Sequence, residues 1–458
     1  MTTTARTAHS LTVADTTTPR TARGPIVRVV LGALLTGVAG AAALTLVALP
    51  GAPEHVITGS ALLAFAAGWA MLAALSSRLT SQPQRWALVP AAVTALTGLG
   101  LLTVAPGNGV LTGAGWIWPP LMFVLAAWMG VQLRRALTGR VRWLLYPVIA
   151  ALALAGVGGF TETVALHHDA ASIAMPGKSY DVGGHRLHLH CAGTGSPTVV
   201  LESGLGEMSS SWARIAPAVA PTTRVCAYDR AGQGWSDDAA RAQDGLAIAR
   251  DLHALLAVAG ERAPFVLVGH SIGGTYAMTY AAQYPGQVAG MVLLDSSTPD
   301  QFSLPQYAST YAMMRRGLGV APSLARLGIA RFASGLVTSG LPSPAAAQVR
   351  AFTTSSRGLR NMRDEVSVLR AAFAQAGALH TLARAPLAVL TATESLRKTT
   401  GWSAAQNRLA ALSGSSSHRV IPSTHAGLLE DEAASGAAAL AITDVVRAVR
   451  TRSPLRTR

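Results

Sequence analysis

The stretch FVLVGHSIGGTYAMTYAAQYP, residues 265–285, sets Ser271 between Gly269 and Gly273, after an apolar run and before a helical pattern. A Gly-x-Ser-x-Gly string in that setting is the pattern of a nucleophilic serine. A sharp strand-to-helix turn crowds the backbone, so the flanking positions need residues without a Cβ, and the turn lifts the serine Oγ above the sheet. Val266–Val268 supply the buried strand and Ile272–Tyr284 the helix. The N-terminus of such a helix aims free N–H groups at a developing oxyanion. The competing reading is a serine that only caps an ordinary helix. In a chain with 45 glycines the string alone decides little, so the surrounding elements carry the weight.

Those elements alternate from Ser179 onward. YDVGGHRLHLHCAG reads as a hairpin turning at Gly183–Gly184, and PTVVLESG and TRVCAYD as buried strands ending in loops. A helical pattern, DGLAIARDLHALLAVAG, precedes the strand FVLVGHS. The strands VAGMVLLDSS, PLAVLTATES and HRVIPSTHAG follow, and a helix over Ala433–Val449 closes the domain. Such alternation predicts a mostly parallel sheet with helices on both faces. Residues 300–380 interrupt it with a mainly helical insert, with breaks expected at Pro305, Gly317, Pro322, Pro342 and Pro344. An insert of that length at one crossover reads as a cap over a site.

Over residues 179–450 the chain resembles the alpha/beta-hydrolase superfamily, through GHSIGG, YDRAGQGWSD and PSTHAGLLED. The resemblance implies an α/β hydrolase fold with a helical cap, with Ser271 as nucleophile and His425 as general base. The chain order Ser, acid, His is the one this fold uses. His418, opening the same strand, is the weaker candidate. The acid is Asp295 in VLLDSSTPD or Glu394 in TATES, with Asp295 favoured. The other reading of Asp295 is a turn residue capping Ser296–Ser297. By position, the backbone N–H groups of Leu205 and Ile272 form the oxyanion hole, although this chain has Ser203-Gly204 where members often carry His-Gly. Asp229, Arg230, Gly232, Gly234 and Ser236 match the loop that frames the site and are expected in structural roles. Dehalogenase and epoxide hydrolase relatives use Asp as nucleophile, so Ser271 argues against both. Cys191 and Cys226 fall on the second and fourth strands, neighbours in such a sheet, which predicts a disulfide. No cofactor or metal is implied, and the His188/His190 pair reads as a partly exposed strand face.

The N-terminal third obeys different rules. The 458 residues are 50% hydrophobic but only 13% charged, and between Val29 and Leu133 the only charged side chains are Glu54, Arg78 and Arg85. Five apolar segments, Ile26–Leu49, Val56–Leu75, Trp86–Val104, Trp116–Leu133 and Val141–Val164, are each near the ~20 residues that cross a bilayer. Trp86, Trp116 and Trp143 open three of them, at interfacial positions. The N-terminal tail and its junction with the first segment carry Arg6, Arg20, Arg23 and Arg28, the second loop Arg78 and Arg85, and the fourth Arg134, Arg135, Arg140 and Arg142. Arginine thus falls on alternate sides, which the positive-inside rule assigns to the cytoplasm. The expected organisation is a disordered cytoplasmic tail (1–25), a five-span region (26–166), a linker (167–178), a hydrolase domain (179–450) outside the cytoplasmic membrane with its cap at 300–380, and a basic tail (451–458). Glu162 is expected at the interface.

The chain's net charge is +15, almost all of it arginine, scattered rather than clustered with aromatics; nucleic-acid binding is not indicated. The partners expected are the lipid bilayer and a small-molecule or lipid-like acyl substrate. Three readings follow: a membrane-anchored serine hydrolase acting on an ester, amide or lactone; a non-catalytic receptor or scaffold that keeps the fold; and a membrane acyltransferase using the same triad.

Overall fold

The computed structural model describes residues 26–336 and 339–455. The expected tail over 1–25 and the last three residues of the basic tail lie outside the described residues.

The C-terminal domain is built on eight strands in the order β1-β2-β4-β3-β5-β6-β7-β8: β1 (Lys178–Asp181), β2 (Arg186–Ala192), β3 (Thr198–Glu202), β4 (Val225–Tyr228), β5 (Phe265–His270), β6 (Val288–Leu294), β7 (Leu387–Ala392) and β8 (Ser416–Ile421). The two N-terminal strands pair antiparallel and the rest parallel. Residues at successive positions feed opposite faces, as the pleat requires. Val199, Val266, Val268, Val292 and Leu390 meet the closing helix Glu432–Thr451 on one face. Val200, Leu267, Leu293 and Val389 meet helices Gly245–Val258 and Gly273–Gln283 on the other. Burial on both faces explains why these strands read as continuous apolar runs. Cys191 and Cys226 stand opposite each other in the β2–β4 register and form a disulfide.

The cap runs between β6 and β7 as helices Tyr307–Arg326, Ile329–Ser334, Ser343–Thr353, Ser356–Ser367 and Leu369–Ala376. Two of the expected breaks are absent: Gly317 and Pro322 lie inside one 20-residue helix. That helix is packed along its length, which outweighs the local cost of an internal proline. Pro342 and Pro344 do mark a helix start, where a missing N–H costs nothing.

Four N-terminal helices are long and apolar enough to cross a membrane: Ile26–Ala48, Glu54–Leu79, Arg85–Val104 and Arg140–Ser172. The pair Asn108–Trp116 and Trp118–Ala136, bent by 51°, makes a fifth if it is one span. The uncharged third loop carries a short helix, Asn108–Gly113. The linker also starts later than expected, because the last helix continues to Ser172. His167 and Asp169 on that extra stretch bond Trp116 and Arg331, which holds it helical. Trp86 faces inward: it is buried between Trp69 and Trp128 and donates to Gln84. The expected basic tail begins inside the fold, with Thr451 ending the last helix and Leu455 packed on the core.

The bundle has two unlike ends. At one, the second and fourth loops are joined by Gln84 Nε2 to the Ala136 carbonyl (2.9 Å) and Thr138 N–H to Gln82 (2.9 Å); this end carries Arg78, Arg85, Arg134, Arg135, Arg140 and Arg142. At the other end, the cap docks. Arg315 donates to the Pro50 carbonyl, Arg326 pairs with Glu54 and bonds Asn108, and Arg331 pairs with Glu162 and Asp169.

Candidate active site

β5 ends at His270, and the chain turns at Ser271 into helix Gly273–Gln283 with φ = 55° at the serine. An L-residue in that region is strained by about 1–2 kcal/mol, so the surroundings must hold it. They do: the Ser271 N–H donates to the Leu294 carbonyl (3.1 Å), and the Ser271 carbonyl accepts from Ser297 N–H (2.9 Å). The glycines around it answer to close approach. A Cβ on Gly269 would lie 2.4 Å from Gly274 Cα, and one on Gly273 would lie 2.2 Å from the Glu202 carbonyl oxygen. A Cβ on Gly204 would lie 3.0 Å from that of Ser271, so the loop after β3 rests against the serine. Leu205 and Ile272 meet in one apolar cluster beside it.

His425 follows β8 on a loop, and its side chain is 39% exposed. Its Nδ1 lies 2.6 Å from Asp295 Oδ2. A carboxylate can only accept, so Nδ1 carries the proton and Nε2 is left as the acceptor in the neutral ring. Asp295 is fully buried at the end of β6, with φ = 43°. It also accepts from Trp402 Nε1 (2.8 Å), the Ala392 N–H (3.3 Å) and the Ser395 hydroxyl. Burial pushes its carboxyl up, but the bonds from His425, Ser395 and Trp402 outweigh burial and hold it below the ordinary value. It does not cap Ser296–Ser297. Glu394 takes another part: it accepts the backbone N–H of His425 (2.9 Å) and the Lys398 ammonium (2.6 Å), and these bonds lower its carboxyl. It anchors the loop that carries the imidazole without touching the ring. His418 points elsewhere, to Thr391 and Asn407.

A family model described as alpha/beta hydrolase fold matches residues 197–425, half of the chain. The chain belongs to the alpha/beta hydrolase family. Among curated proteins it is similar to the probable transporter efuK of Hormonema carpetanum, 33% identical over 126 residues, 26% of this chain and 18% of that one. It is also similar to the 2-hydroxymuconate semialdehyde hydrolase of a Pseudomonas species, 31% identical over 152 residues, 31% of this chain and 54% of that one. The chain thus spans well under two thirds of the length of these relatives. The solved enol-lactonase of Burkholderia xenovorans is 19% identical with a TM-score of 0.45, covering 59% of this chain and 100% of that one.

Within this alpha/beta hydrolase, several contributors were not legible from the motifs. His270, the residue before Ser271, is fully buried; its Nδ1 lies 2.6 Å from a Glu207 carboxylate oxygen and its Nε2 lies 3.1 Å from the His425 carbonyl. The carbonyl can only accept, so Nε2 carries a proton, while Nδ1 stands within ion-pair distance of Glu207. Burial pulls this imidazole down, yet Glu207 outweighs burial and raises it. Glu207 in turn takes the Gly204 N–H (2.6 Å). One His–Glu pair therefore ties together the loop after β3, the serine turn and the His425 loop. The GHS string offered His270 as a signal, but nothing in the sequence named Glu207 as its partner.

Arg230 is the second. It is buried and binds Glu202 Oε1 (2.8 Å), the Ser203 and Gly204 carbonyls (2.5 and 3.1 Å) and Glu365 Oε1 on the cap (2.5 Å). Burial raises both carboxyls, with Arg230 opposing. Ser203, standing where histidine is common, accepts from Trp212 Nε1 (2.9 Å). The rest of the framing loop is structural. Asp229 accepts the Ser209 and Trp235 N–H groups (2.7 and 3.1 Å), Ser236 bonds the His188 N–H (2.8 Å), Gly232 and Gly234 take positive φ, and a Cβ on Gly234 would meet Asp229 at 2.3 Å.

His188 and His190 do not form the partly exposed pair expected. His188 is buried against Asp229 (2.9 Å) and His190 is exposed. Among the described residues, one group of metal-type ligands converges, Cys191, Cys226 and Glu261. Its sulfurs are bonded to each other, and Glu261 pairs with Arg224.

Proposed function

We propose that this chain is a membrane-anchored serine hydrolase that cleaves an ester, amide or lactone on the extracytoplasmic side through an acyl-enzyme. The observation that carries the reading is the Asp295–His425 pair standing beside the strained turn that presents Ser271. In this mechanism Ser271 Oγ attacks the substrate carbonyl while His425 Nε2 takes its proton. Asp295 keeps the ring in that tautomer and balances the imidazolium that forms. The Leu205 and Ile272 N–H groups receive the oxyanion. The imidazolium then gives its proton to the leaving group, which departs as the C–O or C–N bond breaks. A water, deprotonated by the same ring, releases the acyl group and restores the serine. The hydrolase activity of the Pseudomonas relative supports the class of reaction.

The anchoring reading rests on the apolar helices, and the sidedness on charge. The arginines gather at one end of the bundle and the hydrolase domain docks at the other, so the positive-inside rule puts the domain outside.

A fluorophosphonate probe on the full chain in detergent tests the enzyme directly. Labelling of wild type, with loss of labelling in Ser271→Ala and retained folding, is the expected result. Unlabelled wild type, or equal labelling of the variant, would favour the non-catalytic scaffold.

A further inference from the structure

The cap reaches onto the apolar stretch of the bundle's last helix. Between its first two helices, the turn at Leu327–Gly328 sits directly on the last apolar helix, Arg140–Ser172. A Cβ on Gly158 would lie 2.1 Å from the Leu327 carbonyl oxygen, and one on Gly328 would lie 2.9 Å from the Gly158 carbonyl oxygen. Gly158 is six residues (164 − 158), about 9 Å along a helix, inside the outer end of the apolar segment at Val164. Here only glycine on both sides allows the contact. One turn further out, Arg331 is clamped by Glu162 (2.7 Å) and Asp169 (2.8 Å). On the same tip, Phe332 and Leu336 are 73% and 75% exposed, and Ile329 is 46% exposed.

On the last helix, Val157 and Phe160, on either side of Gly158 in sequence, are exposed as well. An arginine paired at the boundary, with aromatic and aliphatic side chains beyond it, is the arrangement of an element seated in a bilayer interface. The cap helix leading to this tip has a second role. Tyr307, Tyr311, Met314 and Leu318, at helical spacing, pack in one cluster with Leu205 and Ile272. Further along the same rod, Ser323 bonds Thr58 (2.6 Å) near the start of helix Glu54–Leu79. One rod therefore runs from the loop beside Ser271 to the bundle, apolar at the site end and held at the bundle end by hydroxyl and arginine contacts.

We propose that the cap tip, residues 327–336, dips into the outer leaflet, and that the site draws its acyl substrate from the bilayer, an amphiphile with a long acyl chain rather than a short water-soluble ester. The substrate half rests on the serine hydrolase reading; the insertion half does not. The two cysteines are bonded to each other, so one introduced thiol can be spin-labelled selectively. Full-length Phe332→Cys and Leu440→Cys, the latter on the exposed side of the closing helix, are labelled with a nitroxide in vesicles of phosphatidylethanolamine and phosphatidylglycerol. The label at 332 is expected to collide with oxygen and be shielded from a water-soluble nickel chelate, with the reverse at 440. Equal nickel access at both positions overturns insertion.

In the same vesicles, turnover of an embedded long-chain diacylglycerol ester is compared with that of p-nitrophenyl butyrate. Phe332→Asp/Leu336→Asp should lower the first by about tenfold or more, because charge is expelled from the leaflet, and leave the second within about twofold. Phe332→Leu should retain both rates. Serine-dependent cleavage of the butyrate with none of the vesicle ester by wild type overturns the substrate half. A wild type inert toward both esters and toward fluorophosphonate overturns the hydrolase reading, and with it the substrate half, while the nitroxide result still decides insertion.

Discussion

At the scale of the residue, the chemistry comes down to which carboxylate faces the imidazole. Asp295 is buried and bonds His425 Nδ1, while Glu394 binds only the His425 backbone and Lys398. Asp295→Asn would leave the shape intact but offer Nδ1 an amide, favouring the wrong tautomer; kcat on p-nitrophenyl butyrate should fall about 10³–10⁴-fold. Glu394→Gln keeps an acceptor for the backbone N–H and should cost about tenfold or less. The opposite ranking in steady-state kinetics would move the acid's role to Glu394. Ser271 and His425 were legible in the sequence because their neighbours are constrained: glycines at ±2 around the serine, and a histidine just past the last strand. The choice of acid was less so. β6 and β7 lie side by side, both end in an acid within a few residues, and only the direction of the side chains separates the two. Glu207 left no signal at all, since its partner follows 63 residues later (270 − 207).

Among the elements, the pair His270–Glu207 joins three loops that no single strand or helix holds. Because His270 is raised in the folded chain, its contribution to stability is complete below the unfolded value of about 6.5 and is lost as pH climbs through the folded value. Wild type should therefore lose thermal stability on the alkaline side of that value. His270→Gln removes the charge from beside a carboxylate that is mostly buried; it should cost about 2–3 kcal/mol at pH 6 and flatten the alkaline limb. Melting curves between about pH 6 and pH 9 check this, and an unchanged alkaline slope in the variant would remove His270 as its source. The strands were readable because a sheet buried on both faces leaves unbroken apolar runs, and the β2–β4 pairing put the two cysteines opposite each other as the family order implied. The cap was read less well. Gly317 and Pro322 are breakers by local preference, but tertiary packing on the cap and on the bundle overrides that preference.

For the whole molecule, the proposed sidedness rests on the arginines that gather at the end of the bundle opposite the docked hydrolase domain. Alkaline phosphatase fused after Arg458 should be active, and a fluorescent protein that matures only in the cytoplasm should stay dark there; the reverse pattern would overturn the sidedness. The apolar helices were legible from length and hydropathy, but not the way the bundle receives the domain. Arg326 and Glu54 are 272 residues apart, and Arg331 and Glu162 are 169 apart, far beyond any local pattern. That separation also sets an order of biogenesis. A ribosome at about 5–20 residues per second delivers Glu54 tens of seconds before it makes Arg326. Until the cap emerges and folds back, three carboxylates at the rim of the bundle, Glu54, Glu162 and Asp169, wait for their counterions. The late arginines thus act as a seal on a finished product: a polypeptide truncated before the cap leaves that rim open, its carboxylates without the counterions that only the complete chain supplies.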